Sequence, residues 1–401
     1  MARAPTLSLL IPARPEPKRR ARWPREGHGR GGYRAFVSEG REGSIRVALI
    51  GYGLGGKVFH APLIGSVPQL SLATIVTSDP ERQARARDRY PAARVVDRPD
   101  AIWDQADEHD LVVVSTPNSS HVPLGLAAIE SGLSVVIDKP LAATADDGRT
   151  LADAAAERGL LLSVFQNRRW DADFLTLRRL IEQGTLGPIH RFESRYERWR
   201  PTPKEDAWRE RGAPEEAGGL LFDLGSHIAD QAMQLFGKPT HVYAEVDRRR
   251  PGVEVDDDVF IALSHRDGVR SHLWASVLAA TLGPRFRVLG MQGAFEKYGM
   301  DVQEDALAAG GVPTDDGWGR EPAEQWGRLS NGDTVEVIES QPGAYQCYYA
   351  GVAEALRSGG PPPVDVRDSI AVLEVLEAAR ESARTGEVVE LPDREAGVPS
   401  T

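Results

Sequence analysis

The chain of 401 residues contains one cysteine, Cys347. A lone thiol cannot close an intrachain disulfide or build a multi-cysteine metal site. Cys347 is therefore read as a small packing side chain. Positive charge is also short: 48 Lys and Arg face 59 Asp and Glu, for a net charge of −11. That balance argues against a nucleic-acid partner, which needs a basic footprint. No apolar run reaches the ~18 residues of a membrane-spanning helix, so no membrane partner is expected and the setting reads as cytoplasmic. The run Asp256-Asp257-Asp258 lacks accompanying ligand spacing and reads as a charged strand entry, so no metal is expected.

What remains is ordinary for a globular protein, with 41% hydrophobic and 27% charged residues. The length suggests two domains. Residues 1–44 stand apart, with ten Lys or Arg against four Asp or Glu, so the rest of the chain carries about −17. They lack periodic apolar spacing and read as an unpacked extension, or as the product of a start codon placed too early. Arg19-Arg20 is not followed by an apolar stretch, which speaks against a twin-arginine export signal.

From Ile45 the pattern alternates. Ile45 to Ile50, Leu70 to Thr77, Leu111 to Val114, Ser134 to Ile137 and Leu160 to Phe165 are short apolar runs. Helical stretches lie between them: Phe59 to Ile64, one opened by Asp79 as N-cap with Pro80 behind it, His121 to Ser131, and Thr144 to Arg158. Apolar strands alternating with helices predict a parallel sheet covered on both faces.

Gly51-Tyr52-Gly53-Leu54-Gly55-Gly56 follows the first strand and fits G-x-G-x-x-G. Gly51 would make the turn, Gly53 would admit a pyrophosphate, and Gly56 would let the helix pack on the strand. This predicts a dinucleotide-binding Rossmann domain over residues 45–166, with an N-terminal doubly wound sheet. The second strand ends in Thr77-Ser78 rather than an acidic residue, and Arg82 lies one helical turn on. Two hydroxyls and a cation favour the 2′-phosphate of NADP; NAD is the alternative. Thr116, Pro117, Asn118 and His121 follow the fourth strand and are expected on the nicotinamide side, although His121 also reads as a plain helix start.

Asp138-Lys139-Pro140 follows the fifth strand at the same edge. Its ammonium could stabilise a developing alkoxide; a structural ion pair is the plain alternative. Asp223 and His227 stand i, i+4 in a helix predicted from Leu221 to Phe236, a spacing that suits acid–base work. Such a pair gains weight only alongside the lysine and the glycine loop.

Together these motifs resemble the glucose–fructose oxidoreductase/inositol dehydrogenase/rhizopine-catabolism (Gfo/Idh/MocA) family over residues 45 to 390. The family usually has Glu where this chain has Asp138. The stretches Gly53 to Leu63, Asn167 to Asp171, Gly283-Pro284-Arg285 and Lys297-Tyr298-Gly299 look closer to its NADP-dependent scyllo-inositol dehydrogenase branch. That branch tends to carry Arg where Asp79 stands. The resemblance implies an oxidoreductase acting on a cyclic polyol or sugar. Lys139 and His227 would be catalytic, with Asp223 holding the imidazole or binding a substrate hydroxyl. Asp138 and Lys139 would also border the cofactor.

In the second half, alternation at Phe192, Ser194, Tyr196 and at Val259, Ile261, Leu263, with a turn at Asp267-Gly268, predicts a mostly antiparallel open sheet. The expected whole is α/β: the Rossmann domain plus a C-terminal α+β domain over 167–395. Arg168, Trp170, Tyr196 and Trp199 are candidate substrate contacts, with the two tryptophans reading more readily as packing. By the resemblance, the open sheet face implies a homo-oligomer, dimer or tetramer. Two other readings stay open on this scaffold: an NAD-assisted glycosidase and a non-catalytic NADP-binding sensor. Dihydrodiol dehydrogenase and imine or ketone reductase chemistry remain open within the oxidoreductases.

Overall fold

A computed structural model describes residues 43–203 and 217–392. All but the last two residues of the N-terminal extension fall outside them. The first half holds β1 (Ile45–Ile50), β2 (Leu70–Val76), β3 (Arg94–Val96), β4 (Leu111–Val114), β5 (Ser134–Ile137) and β6 (Leu162–Val164). Its helices are α1 (Ala61–Gly65), entered through a π-helical turn Gly55–His60, then α2 (Pro80–Arg89), α3 (Asp100–Trp103), α4 (His121–Glu130) and α5 (Ala145–Arg158). The six strands are parallel, in the order β3-β2-β1-β4-β5-β6. β4 and β5 are buried at every position, as expected for strands covered on both faces. Strand order reverses between β1 and β4, and ligands of such sheets bind in the crevice beyond the strand ends there.

The caps follow local chemistry. Asp79 Oδ1 accepts the Arg82 N–H at 3.0 Å and starts α2. Thr144 Oγ1 accepts the Asp147 N–H at 3.1 Å and starts α5. Gly159, with φ +64°, ends α5 in the left-handed region.

After α6 (Ala172–Glu182) come β7 (Ile189–Glu197), α7 (Leu220–Asp223), α8 (Gly225–Phe236), β8 (Pro239–Asp247), β9 (Asp258–His265) and β10 (Arg270–Ser276). β11 (Phe286–Gly290), β12 (Ala294–Lys297), α9 (Gln303–Ala308), β13 (Gly327–Ser330) and β14 (Val335–Ile338) follow. The chain closes with α10 (Gln346–Ser358), α11 (Val366–Thr385) and β15 (Val389–Glu390). Among the described residues the second sheet has nine strands, ordered β14-β13-β12-β11-β7-β10-β9-β8-β15. β7 and β10 run parallel and the other pairs antiparallel. β9 alternates at each residue: Val259, Ile261 and Leu263 point into the core, Phe260 and Ala262 away from it. α8 and α11 pack on the sheet's inner side. α11 also packs on α5, and the Glu377 carboxylate accepts the Ala145 N–H, so this last helix touches both halves.

The acidic run 256–258 has structural partners. Asp256 accepts the Leu221 N–H, Asp257 accepts the N–H groups of Arg249 and Arg250, and Asp258 lies 3.6 Å from Arg249. No group of His, Cys, Asp and Glu among the described residues has the geometry to hold a metal. No described helix is long and apolar enough to cross a membrane.

Candidate active site

Sterics define the glycine loop. Gly51 has φ +99°, and a Cβ there would stand 2.0 Å from the Ser115 carbonyl oxygen. At Gly56 a Cβ would stand 1.9 Å from the Gly51 carbonyl oxygen, so only glycine lets the helix seat against the loop. Gly53 differs: its Cβ position is open, with Arg82 Nη1 nearest at 3.7 Å. The loop thus has close approach where the sequence predicts packing, and free space where it predicts a ligand. Tyr52 turns inward and packs edge-on against Tyr90, whereas Leu54 is exposed. This leaves only the Tyr52 backbone for a cofactor. Thr77 is buried and Ser78 exposed at the tip of β2, beside an Asp79 carboxylate already engaged by its own helix.

Across the reversal point, Thr116 Oγ1 accepts from Ser120 at 2.7 Å, and Pro117 is exposed. Asn118 Nδ2 donates to the Ala217 carbonyl at 3.0 Å, which ties the two halves together at the crevice. His121, expected on the nicotinamide side, is fully buried. Its ring nitrogens face the carbonyls of Pro140 at 2.8 Å and Thr116 at 3.0 Å. Burial pushes its pKa down. The structure makes it a brace behind the crevice rather than part of its wall.

Lys139, Pro140, Asn118, Asp223 and the backbone of residues 217–219 line a pocket between the halves. Lys139 Nζ donates at 2.6 Å to both the carboxylate and the carbonyl of Asp223. The helix predicted over Leu221 to Phe236 is interrupted at Leu224. Asp223 ends α7 on the lysine, while His227 lies in the first turn of α8. His227 Nδ1 is buried without a hydrogen-bond partner among the described residues. Burial first, then the cations Lys139, Arg168 and Arg285, push the imidazole well below its ordinary pKa. The expectation that Asp223 holds the imidazole is therefore corrected: the carboxylate bonds Lys139, and His227 is held neutral among positive charges.

The predicted substrate contacts lie deeper than expected. Tyr196 is 1% exposed, with its hydroxyl directed at Asp171 at 3.4 Å and Arg285 stacked over its ring at 4.3 Å. Arg168 donates to Tyr345 Oη at 2.7 Å and to Glu304. Trp170 packs edge-on against Tyr348. Arg168 pairs with Asp171 at 3.6 Å and Arg285 with Asp173 at 3.3 Å, all four residues buried. Trp199 is exposed and bridges to Leu278.

Asp138 reveals residues the sequence did not single out. Its Oδ1 accepts the Lys139 N–H at 2.9 Å and its Oδ2 accepts from Ser115 Oγ at 3.1 Å. Oδ2 also lies 3.3 Å from His60 Nε2, and His60 Nδ1 is 2.6 Å from the Tyr349 hydroxyl. Burial opposes ionisation of Asp138, but the contacts with His60, together with the charges of His121 and Lys139, hold its carboxyl well below the usual range. His60 carried a weak signal, a histidine in an otherwise apolar first helix. Tyr349 carried none, because 289 residues separate it from His60.

Residues 45–166 match the model of an oxidoreductase family NAD-binding Rossmann fold, and residues 178–391 match that family's C-terminal alpha/beta domain. The scyllo-inositol 2-dehydrogenase (NADP(+)) of Bacillus subtilis is 40% identical over 346 residues, 85% of this chain and 94% of that protein. A solved oxidoreductase structure from Bacillus subtilis superposes with a TM-score of 0.83 at 39% identity, covering 87% of this chain and 99% of that one. One from Yersinia pestis gives 0.82 at 38% identity, covering 88% and 99%. With both of its domains matched in order and a relative 40% identical over most of its length, the chain belongs to the Gfo/Idh/MocA family of oxidoreductases.

Proposed function

We propose that this protein is an NADP(H)-dependent dehydrogenase that transfers a hydride to or from a ring carbon of a cyclic polyol or sugar. The observation that carries this reading is the Lys139–Asp223 pair at the crevice, with an uncharged His227 two residues into the next helix. A dinucleotide fits the residues present. Gly53 leaves room for a phosphate, the following turn offers main-chain N–H groups, and Arg82 lies over the loop as a cation. Thr77, Ser78 and Arg82 would hold the adenosine end, and Thr116, Pro117, Asn118 and Asp138 the nicotinamide end. NADP is favoured over NAD because the Asp79 carboxylate is engaged with α2 and Arg82 and does not present itself to a ribose. When bound, the dinucleotide supplies the hydride acceptor or donor.

The chain's own residues supply the rest. Lys139 donates a hydrogen bond to the reacting hydroxyl oxygen and offsets charge as it forms. His227 takes the hydroxyl proton on Nε2, since Nδ1 is enclosed. The imidazole is neutral in the resting site, so its nitrogen is free to accept that proton. Asp223 keeps the ammonium at the crevice and offers an acceptor to a neighbouring hydroxyl. The similarity to a scyllo-inositol 2-dehydrogenase supports a cyclic polyol as substrate. The outer face of the second sheet would join copies into a homo-oligomer.

The test is the near-ultraviolet absorbance of reduced nicotinamide, followed with NADP or NAD against a panel of inositols, hexoses and pentoses. NADPH with the corresponding ketones covers the reverse direction. Reduction of NADP by a cyclic polyol is expected. Confirmed NADP binding without turnover of any member would sink the reading.

A further inference from the structure

His60 and Tyr349 stand outside the proton and hydride chemistry just described, yet they are fully buried against its edge. The His60 ring packs at a tilt 4.4 Å from Phe165, and Tyr349 lies 5.8 Å from the same ring. Within this apolar surround, His60 has two polar neighbours among the described residues: Tyr349 Oη at 2.6 Å from Nδ1, and Asp138 Oδ2 at 3.3 Å from Nε2. The second contact is long and imperfectly aligned, and Nε2 has no competing partner.

We propose that Tyr349 and His60 are positioning residues for Lys139: the tyrosine hydroxyl donates to Nδ1, which fixes the imidazole proton on Nε2, facing Asp138. The second nitrogen of a histidine is set by the bond the first one makes. Burial pushes Tyr349 well above the ordinary phenol range, so it keeps the proton it would donate. A proton on Nδ1 instead would turn the Nε2 lone pair towards a carboxylate oxygen, and the two would repel. Asp138 has little room to respond in place. Oδ1 anchors the Lys139 main chain, and Oδ2 holds Ser115 and lies 2.9 Å from the Cβ position of Gly55. A turned carboxylate would release the Lys139 backbone and press on the glycine loop. The other charged groups facing Asp138 are His121, from α4, and Lys139 itself. The device spans the molecule: α10 of the second half sets the tautomer of a residue in the first helix.

Nitrogen-15 NMR of the histidine side chains tests this, with His60 assigned by its loss in His60→Gln. At alkaline pH the expected pattern is an acceptor-type Nδ1 and a protonated Nε2, altered in Tyr349→Phe. A protonated Nδ1 in the unmutated protein overturns the proposal. The consequence for Lys139 rests on the dehydrogenase reading and has its own arm. Tyr349→Phe and His60→Leu should lower kcat about tenfold, the loss of one hydrogen bond to a charged group. KM for the polyol and NADPH affinity, read by fluorescence, should stay within about threefold. His60→Gln, which restores an N–H donor, should recover most of kcat. Equal losses in His60→Gln and His60→Leu would overturn the positioning role. Failure of every polyol with the NMR pattern intact would instead count against the dehydrogenase reading alone.

Discussion

Lys139 gives its ammonium two oxygens of a single residue, both at 2.6 Å, and keeps only 12% of its side-chain surface exposed. A cation held this tightly is oriented before substrate arrives, which is where a preorganised donor gains its effect. Lys139→Met should therefore lower kcat by about 10²–10³, with NADPH affinity largely retained in a fluorescence titration. An unchanged kcat, or a loss of NADPH binding as large as the loss of kcat, would contradict the assignment. Arg82→Ala should raise KM for NADP about tenfold and leave KM for NAD nearly unchanged, the loss of one charge-assisted contact. Equal effects on both cofactors would place Arg82 at the shared pyrophosphate instead. At this scale the sequence was legible where one residue's own shape decides. Gly51 and Gly56 are required because any Cβ meets backbone within 2.0 Å. It was illegible where two side chains decide jointly, as with His60 and Tyr349, and in depth, since Tyr196 and His121 are buried more fully than their types suggest.

Helices were legible through their ends. Asp79 and Thr144 open their helices as their types dictate, and Gly159 ends α5 with a positive φ. The start of the α7–α8 pair was not legible, because what fixes it lies on another element. Asp256, ahead of β9, accepts the Leu221 N–H at 2.7 Å, and Gly219 is glycine because a Cβ would stand 2.1 Å from that carboxylate. One acidic residue thus fixes the start of the helix pair that carries Asp223 and His227. Burial raises the Asp256 carboxyl to about 6, against the pull of the Leu221 N–H. The folded state then binds a proton more readily than the unfolded chain. The group is most favourable to folding below the unfolded value, and that advantage is lost as pH rises through about 6. Urea melts of the native protein and Asp256→Asn should show it. Between about pH 7.5 and pH 5 the native protein should gain about 1 kcal/mol relative to the variant. A difference independent of pH would refute this.

For the whole molecule, the parallel sheet of the first half followed from apolar strands alternating with helices, but its edge strand β3, only three residues long, was missed. The second sheet's one parallel pair did not follow either, since β7 and β10 meet across a long stretch of chain that local patterning does not address. The outer face of that sheet carries Phe260, His272 and Trp274 as a ladder, with Arg195 over the Trp274 ring at 4.0 Å. If this face joins copies, as proposed, Trp274→Glu should shift the protein to a smaller species in sedimentation or light scattering. An unchanged mass would remove the face from the interface.

Synthesis runs from one end of the chain to the other, and α11 lies near the far end. Until it emerges, α5 lacks the helix that packs on it, Ala145 lacks the carboxylate of Glu377, and β8 lacks a cover. The nucleotide-binding sheet can thus form early on the ribosome but keeps an unfinished flank until α11 has been made. Ribosome-stalled chains ending before Val366 should resist protease less than complete ones, although they already contain every strand of that sheet.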